Sequence, residues 1–292
     1  MRPAHLAFIL LIDVVWAMNL VATRYSVDAV PPVTVAFIRL SMVALLLAPW
    51  LRWIPGRMAA MFVTAIVAGA LFFSLTASSF AFAENLSALA VAGQLGVPFS
   101  LILGVAFLGE RIRLPRLAAI TLTFIGIAVI GFDPALFDDR LGLGLTVLAS
   151  MVWAAGSLLF RSLTGVPVFT LHAWLGLFSA PFLLLASLWI EPGALASVAA
   201  SPPWHGIGWI LFSALGSSII GYGGMTWLLQ RYPVSIISPL TLVAPLMSLV
   251  IAILWFETPV TPRMAVGGAL TLIGVAIIVV RTARAERVGH PA

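Results

Sequence analysis

The chain has no lysine and no cysteine. All fifteen of its basic residues are arginine, and the missing lysine removes every chemistry that needs a primary side-chain amine. A Walker A loop places lysine on nucleotide phosphates, and pyridoxal enzymes hold their cofactor through a lysine Schiff base. The chain is therefore not itself an ATP-driven pump of that kind. Without cysteine there are no disulfides, thiolate metal sites or thiol nucleophiles. Charge is scarce too: 9% of the 292 residues are charged and 62% are hydrophobic. A soluble chain carries roughly a quarter charged residues, so this composition describes an integral membrane protein with no soluble domain. The isoelectric point near 11 reflects arginine at membrane edges, and no nucleic-acid partner is expected.

What is there is a succession of long apolar runs. A helix of about 20 apolar residues spans a bilayer core. Ten runs of about that length lie at 5–22, 34–51, 59–83, 86–108, 114–132, 141–160, 168–190, 206–229, 235–256 and 264–280. The breaks carry Arg, Asp, Pro and Gly, as at Arg52 to Arg57 and Asp133 to Arg140. The first run follows Arg2 and precedes small residues, as a signal peptide would. It is read as a retained span because VVWA at 14–17, with Arg24 beyond it, recurs in the sixth run as MVWA at 151–154 with Arg161.

That recurrence belongs to a larger one. Pro98, Glu110, Pro115 and Arg116 are repeated 147 residues later as Pro245, Glu257, Pro262 and Arg263, and Gly126 returns as Gly274 after 148. A fixed offset of half the chain marks two homologous halves, here 1–133 and 134–292, the second ending in a short cytoplasmic tail. Each half holds five spans. Five is odd, so the second half enters the membrane from the opposite face and the repeats are inverted. Positive charge gathers on cytoplasmic loops, and the arginines agree: 2, 52, 57, 111, 113, 116, 161, 231, 281, 284 and 287 fall on one face, against 24, 140 and 263 on the other. Both termini are expected in the cytoplasm. The expected fold is all-α, with ten transmembrane helices forming two inverted five-helix repeats around a central cavity.

From Tyr222 to Ile278 the chain runs YGGMTWLLQRYPVSIISPLTLVAPLMSLVIAILWFETPVTPRMAVGGALTLIGVAII. This pattern of Pro, apolar run, Glu, polar or Pro turn and glycine-bearing helix resembles the repeat of the EamA-type drug/metabolite transporters. The chain carries it twice, with Gly109 before Glu110 in the first copy and Phe256 before Glu257 in the second. The resemblance implies a bacterial inner-membrane exporter of amino acids or other small organic molecules. Sugar-nucleotide carriers share the architecture, so fold alone does not set the substrate.

Inverted-repeat transporters place their solute near the midplane, beside breaks in matching helices. Pro98 and Pro245 are such a pair, and Pro239 adds another break; each is a hinge or gate candidate, or a fixed kink that shapes packing. Trp16 and Trp153 hold matching places in spans 1 and 6, where their rings either stack on a solute or pack in core or lipid. Asn19 and Ser157 lie near them on the same helices. Gln94 and Thr241 correspond at the repeat offset, and Tyr222 stands in span 8 among Ser217 and Ser218. Gln94 and Tyr222 are harder to satisfy from their own backbone than serine or threonine. These seven residues (Trp16, Asn19, Gln94, Trp153, Ser157, Tyr222 and Thr241) form the expected solute site. Asp13 and Arg39 are the charges furthest from any loop. Intramembrane charges face a partner or a wet cavity. With depths that differ by roughly 5 Å, they suit a structural ion pair; if Asp13 stands alone, it is the proton-binding candidate. His172 reads as a packing residue, and Glu110 and Glu257 as loop anchors.

The sequence thus describes a secondary transporter that exports small organic metabolites, aromatic or apolar amino acids first, by alternating access. A channel, or a carrier of sugar-linked or cationic drug-like solutes, is the alternative. No enzyme activity, cofactor or metal is expected; the partners are the solute and the lipid bilayer. The four histidines are scattered without metal-ligand spacing.

Overall fold

In hydrocarbon an unpartnered backbone N–H or C=O has no water to turn to, and a helix pairs these groups within one segment. The computed structural model describes residues 3–108, 114–229, 231–232, 240–241 and 243–287. Every regular element among them is helical. In chain order these are α1 (Pro3–Ala29), α2 (Pro32–Leu46), α3 (Met58–Ala81), α4 (Leu86–Phe107), α5 (Leu114–Gly131), α6 (Arg140–Ser162), α7 (Val168–Ile190), α8 (Trp204–Leu228), α9 (Val243–Phe256) and α10 (Pro262–Arg287). A short helix, Ala194–Ala200, joins α7 to α8. Seven helices are long and apolar enough to cross a membrane, while the apolar α2, α5 and α9 are shorter.

Two helix ends differ from the hydropathy reading. α1 runs on to Ala29 because its charges are absorbed: Arg24 pairs with Asp28 at 3.1 Å one turn along, and its guanidinium donates to the Phe80 and Ala83 carbonyls at 3.2 and 2.7 Å at the end of α3. A helix tolerates such an i, i+4 pair well. α2 stops at Leu46 ahead of Pro49, whose ring would collide with the preceding turn; the chain tightens there into a 3₁₀ turn, Ala48–Trp50.

Hydrogen bonds between the connections sort the helix ends. Arg57 donates to the Ser162 carbonyl at 2.5 Å, joining the α2–α3 and α6–α7 connections at one end of the bundle. At the other end Asp139 accepts from the Glu84 amide at 2.6 Å, and Arg263 donates to the Phe132 carbonyl at 3.0 Å. There Asp133 accepts from the Thr261 hydroxyl and, at 3.0 Å, from the Ala135 amide. The Thr261 bond first, then the Ala135 amide and the Arg263 charge, hold its carboxyl below the usual carboxylate range. Glu257 closes α9 in the left-handed conformation, with φ of 50°. Its counterpart Glu110 lies outside the described residues.

At one end of α2, Glu191 from the end of α7 accepts from the Val33 and Thr34 amides, each at 2.8 Å, and from the Thr34 hydroxyl at 2.7 Å. The first amides of a helix have no partner of their own, and the helix dipole favours an anion there. The α2–α7 pair is thereby fastened.

α3 and α8 each contain a stretch wound with i→i+5 hydrogen bonds, Ala65–Leu71 and Ser213–Gly223. Such π turns free backbone carbonyls and concentrate at functional sites. In α3 the Ser179 hydroxyl of α7 takes up the Ala65 carbonyl at 2.8 Å, and a Cβ at Gly69 would strike that hydroxyl.

α5 and α10 meet along small residues. Gly126 lies against Thr271 and the Gly267 carbonyl, and Gly274 against Thr123 and the Ala119 carbonyl. Ala119 and Gly267, Thr123 and Thr271, and Gly126 and Gly274 are all pairs separated by the same 148 residues. Each glycine therefore meets the counterparts of the residues that its own counterpart meets. The threonine hydroxyls donate to their own helices, Thr123 to Ala119 at 2.9 Å and Thr271 to Gly267 at 2.8 Å, which leaves the helix surfaces free to approach. Gly126→Ala is expected to lower the thermal unfolding temperature in detergent, at a cost of about 1–3 kcal/mol. Gly144→Ala, where an added Cβ meets nothing within 4 Å, is the control. Equal melting of the two variants would show that the seam yields to a methyl group.

Candidate functional site

The site begins with the spacing on α1. Asp13, Trp16 and Asn19 recur at intervals of three residues and so share neighbouring parts of one helix face. That face turns into the protein. Asp13 is fully buried, 0% exposed, and among the described residues neither carboxylate oxygen has a hydrogen-bond partner. The Trp16 Nε1 and the Asn19 Oδ1 are also buried without partners, although the Asn19 amide nitrogen donates to Thr23 at 3.3 Å. A buried polar atom left unpaired costs about 1–3 kcal/mol. Three consecutive polar residues of one helix face carry that cost.

Beside them the aromatic side chains converge. Tyr222, within the π-wound part of α8, has its ring centroid 5.4 Å from that of Trp16 and 5.1 Å from that of Trp153. Trp153 in turn lies 5.0 Å from Phe72, and Phe73 lies 6.4 Å from Tyr222. The rings are tilted or edge-on, the arrangements that aromatic quadrupoles favour. Trp16 reaches Tyr222 only because Gly221 has no side chain; a Cβ there would overlap the indole nitrogen. Trp16 and Trp153, matched by sequence in α1 and α6, thus close on one tyrosine.

Arg39 borders this array. It is 6% exposed, its guanidinium lies 4.4 Å from the centre of the Phe73 ring, and its Nε and Nη2 donate to the Ser218 hydroxyl at 3.3 and 3.2 Å. The expected ion pair with Asp13 is absent, which corrects the sequence reading. The reason is the length of α1. Asp13 sits about 16 residues before the end of that helix at Ala29, and Arg39 about seven residues into α2. At 1.5 Å per residue their depths differ by roughly 14 Å, too far for contact.

The remaining expected residues are distributed around the array. Ser157 donates to the Ala154 carbonyl at 2.7 Å and lies 3.4 Å from the Ser100 hydroxyl. Gln94 falls in a 3₁₀ turn, Gly93–Leu95, that interrupts α4; Ser150 of α6 reaches the Gly93 carbonyl beside it at 3.3 Å. Thr241 precedes α9, next to Leu240, which packs in the cluster of Ile12, Trp16 and Leu228. Pro98 and Pro245 are each the third residue of a helical segment, Gly96–Leu108 and Val243–Phe256. Pro245 thus stands in the first turn of α9, where a missing donor costs little, whereas Pro98 lies inside α4, just past its 3₁₀ turn. Pro239 lies outside the described residues. His172 is buried, with its ring 6.5 Å from that of Phe160. Among the described residues no cluster of acidic or histidine side chains has a metal-holding arrangement.

Sequence reasoning missed Phe72, Phe73 and Ser213. They lie in the third and eighth spans, the pair already offering Ser74 and Tyr222, but nothing in those apolar runs singles them out. A cleft of about 580 Å³ opens where Pro31, Glu191 and Ser197 meet, but it lies at the helix ends, away from the array. Next to Arg39 the cavity is nearly closed, about 10 Å³, room for no more than one water molecule.

Gly221→Ala is expected to displace the Trp16 indole and to lower stability by about 1–3 kcal/mol. The variant's near-ultraviolet circular dichroism should differ from that of the unmodified protein, and the difference should vanish in a Trp16→Phe background. A difference that persists there would place the collision elsewhere.

Comparison with known proteins gives this geometry a family. A solved crystal structure overlays 99% of this chain on 99% of its own with a TM-score of 0.64 at 18% identity, a likeness of fold alone. The chain is 27% identical to a probable amino-acid metabolite efflux pump of Escherichia coli, covering 96% of this chain and 97% of that protein. It is 27% identical to one of the same description from Salmonella typhimurium, with 92% of each covered. An uncharacterized transporter of Archaeoglobus fulgidus is 25% identical over 90% of this chain. These likenesses point to a transporter rather than an enzyme. The EamA-like transporter family matches residues 4–132 and again 140–280, so the chain, a multi-pass membrane protein, belongs to that family of the drug/metabolite transporter superfamily.

Proposed function

We propose that the protein is a secondary transporter that exports amino acids, aromatic or apolar ones first, through a central site at Trp16, Trp153 and Tyr222. The observation that carries this reading is the concentration of buried, unpartnered polar atoms on Asp13, Trp16 and Asn19 beside a convergent aromatic array. Many hydroxyls elsewhere in the bundle are spent on backbone carbonyls, such as those of Thr64, Ser74 and Thr146; here donors and acceptors are held ready in an apolar setting. Aromatic faces bind apolar or aromatic side chains, and the spare polar atoms suit the ammonium and carboxylate groups of an amino acid. Two relatives, each described as a probable amino-acid metabolite efflux pump, favour the same substrate class.

The mechanism is alternating access between two inverted five-helix halves. The reciprocal contacts of Gly126 and Gly274 support two-fold related halves, and the π stretches of α3 and α8 fall in corresponding spans. Pro98 follows a 3₁₀ turn and Pro245 opens α9, and these breaks, with Pro239, are the hinge candidates. The arginine bias favours cytoplasmic termini in a bacterial inner membrane. Asp13 without a partner serves as the proton-binding carboxyl of a coupled cycle.

In proteoliposomes, phenylalanine uptake is expected to be saturable and accelerated by unlabelled solute on the far side; a channel would show no such acceleration. Trp16→Ala and Tyr222→Ala are expected to weaken phenylalanine binding by about tenfold, or about 1.4 kcal/mol, with the yield of monodisperse protein retained; unchanged binding in both would remove the array from the site. Coupling is read separately. A pH gradient should drive accumulation in the unmodified protein and fail to do so in Asp13→Asn. Undiminished accumulation in that variant would detach Asp13 from proton movement.

A further inference from the structure

Arg39 has an unusual set of neighbours for a charge inside a membrane helix. Arginine presents five N–H donors, and here two of them share the one hydroxyl oxygen of Ser218. The other three have no acceptor among the described residues, and no carboxylate there lies within ion-pair distance. One face of the guanidinium is covered by the Phe73 ring at 4.4 Å, and that ring lies 6.4 Å from Tyr222. Its cavity is lined by Thr23, Ser26, Thr76 and Ser213. The first three hydroxyls donate to carbonyls of their own helix and keep lone pairs free; the Ser213 hydroxyl is buried with no partner at all. The site therefore pairs unused cationic donors with an unused hydroxyl, next to rings that lead directly to Trp153 and Trp16.

We infer that Arg39 is the anchor for the carboxylate of the transported solute, an inference that rests on the exporter reading above and assigns that group to one side chain, leaving Asp13, Trp16 and Asn19 to the ammonium end. A planar guanidinium takes a carboxylate through two parallel N–H bonds, and the free donors on Nη1 and Nη2 have the fork that this requires. Ser213 donates to the same carboxylate. Phe73, which covers the guanidinium, begins the apolar wall and leads to Tyr222, so a carboxylate held at Arg39 directs the rest of an arylalkyl acid along the array toward Trp153 and Trp16. In the closed cavity the charge waits for its anion; the carboxylate enters when the helices around it part. The consequence for specificity is that the negative charge of the solute is read on α2, apart from Asp13 on α1.

The test compares isosteres that differ only in charge. Titrations of purified protein with 3-phenylpropanoate against 3-phenylpropanamide, and with L-phenylalanine against L-phenylalaninamide, are followed by thermal stabilisation. Both carboxylates are expected to bind at least about tenfold more tightly than their amides, about 1.4 kcal/mol, and Arg39→Gln to abolish the difference while amide binding persists. Arg39→Lys, which keeps the charge and loses the fork, is expected to retain part of the preference. Equal binding of acid and amide by the unmodified protein, no binding of either acid, or a full preference in Arg39→Gln would each overturn the assignment. If Arg39→Gln does not fold, the lysine variant decides, and a preference identical to that of the unmodified protein overturns it. Because binding is read without transport, absent counterflow with intact Arg39-dependent preference would remove the exporter reading alone, and counterflow with no preference would remove this site alone.

Discussion

Inside a bilayer the water that would take up a stray hydroxyl or carbonyl is missing, so the protein must pair these groups from its own atoms or bear the cost. Much of the interior follows from that constraint. Thr64, Ser74, Thr123 and Thr146 turn back onto the carbonyl four residues earlier in their own helices. Where the helix geometry itself releases a carbonyl, a neighbour supplies the donor: Ser179 at the π turn of α3 and Ser150 at the 3₁₀ turn of α4. Against this thorough pairing, the unpaired atoms of Asp13, Trp16, Asn19 and Ser213 stand apart. They cluster where the aromatic rings meet, which is where a solute would supply what the fold withholds.

Close approach is the second requirement, and glycine meets it at chosen points. Gly221 admits the Trp16 indole, and Gly126 and Gly274 let α5 and α10 touch along their backbones. These contacts differ in kind. The α5–α10 seam is a scaffold whose polar groups are all spent, and the Trp16 contact leaves an indole N–H pointing at a backbone with nothing to bond.

Much of the helical layout was legible in the sequence because hydropathy reports burial in lipid directly. Span limits expected at 86–108 and 168–190 fall within a residue of the helices Leu86–Phe107 and Val168–Ile190. The convergence of Trp16, Trp153 and Tyr222 was also within reach, since the repeat matched the two tryptophans and Tyr222 lay in a span with several small polar residues, among them Ser217 and Ser218. The failures have separate causes. Arg24 and Asp28 look like a loop and are instead an intrahelical pair, so α1 is longer than its apolar run, and the depth estimate that joined Asp13 to Arg39 inherited that error. Phe72 and Phe73 gave no signal because an aromatic ring in an apolar run reads the same whether it faces lipid, core or cavity. Pro98 and Pro245 were seen as helix breaks; the fold sets Pro245 in the first turn of α9 and Pro98 inside α4, beside a 3₁₀ turn that the sequence did not announce.

The fastening of α2 to α7 by Glu191 reaches further than the end of the bundle at which it sits. Its carboxylate holds the first amides of α2, and Arg39 rides the same helix about two turns beyond. A rigid helix pinned at one end is a lever, and the guanidinium is mounted near its fulcrum. Tilting α7 in the membrane would therefore carry the positive charge with it through a small arc, leaving Ser218 and the tyrosine on α8 as the fixed points against which that arc is measured.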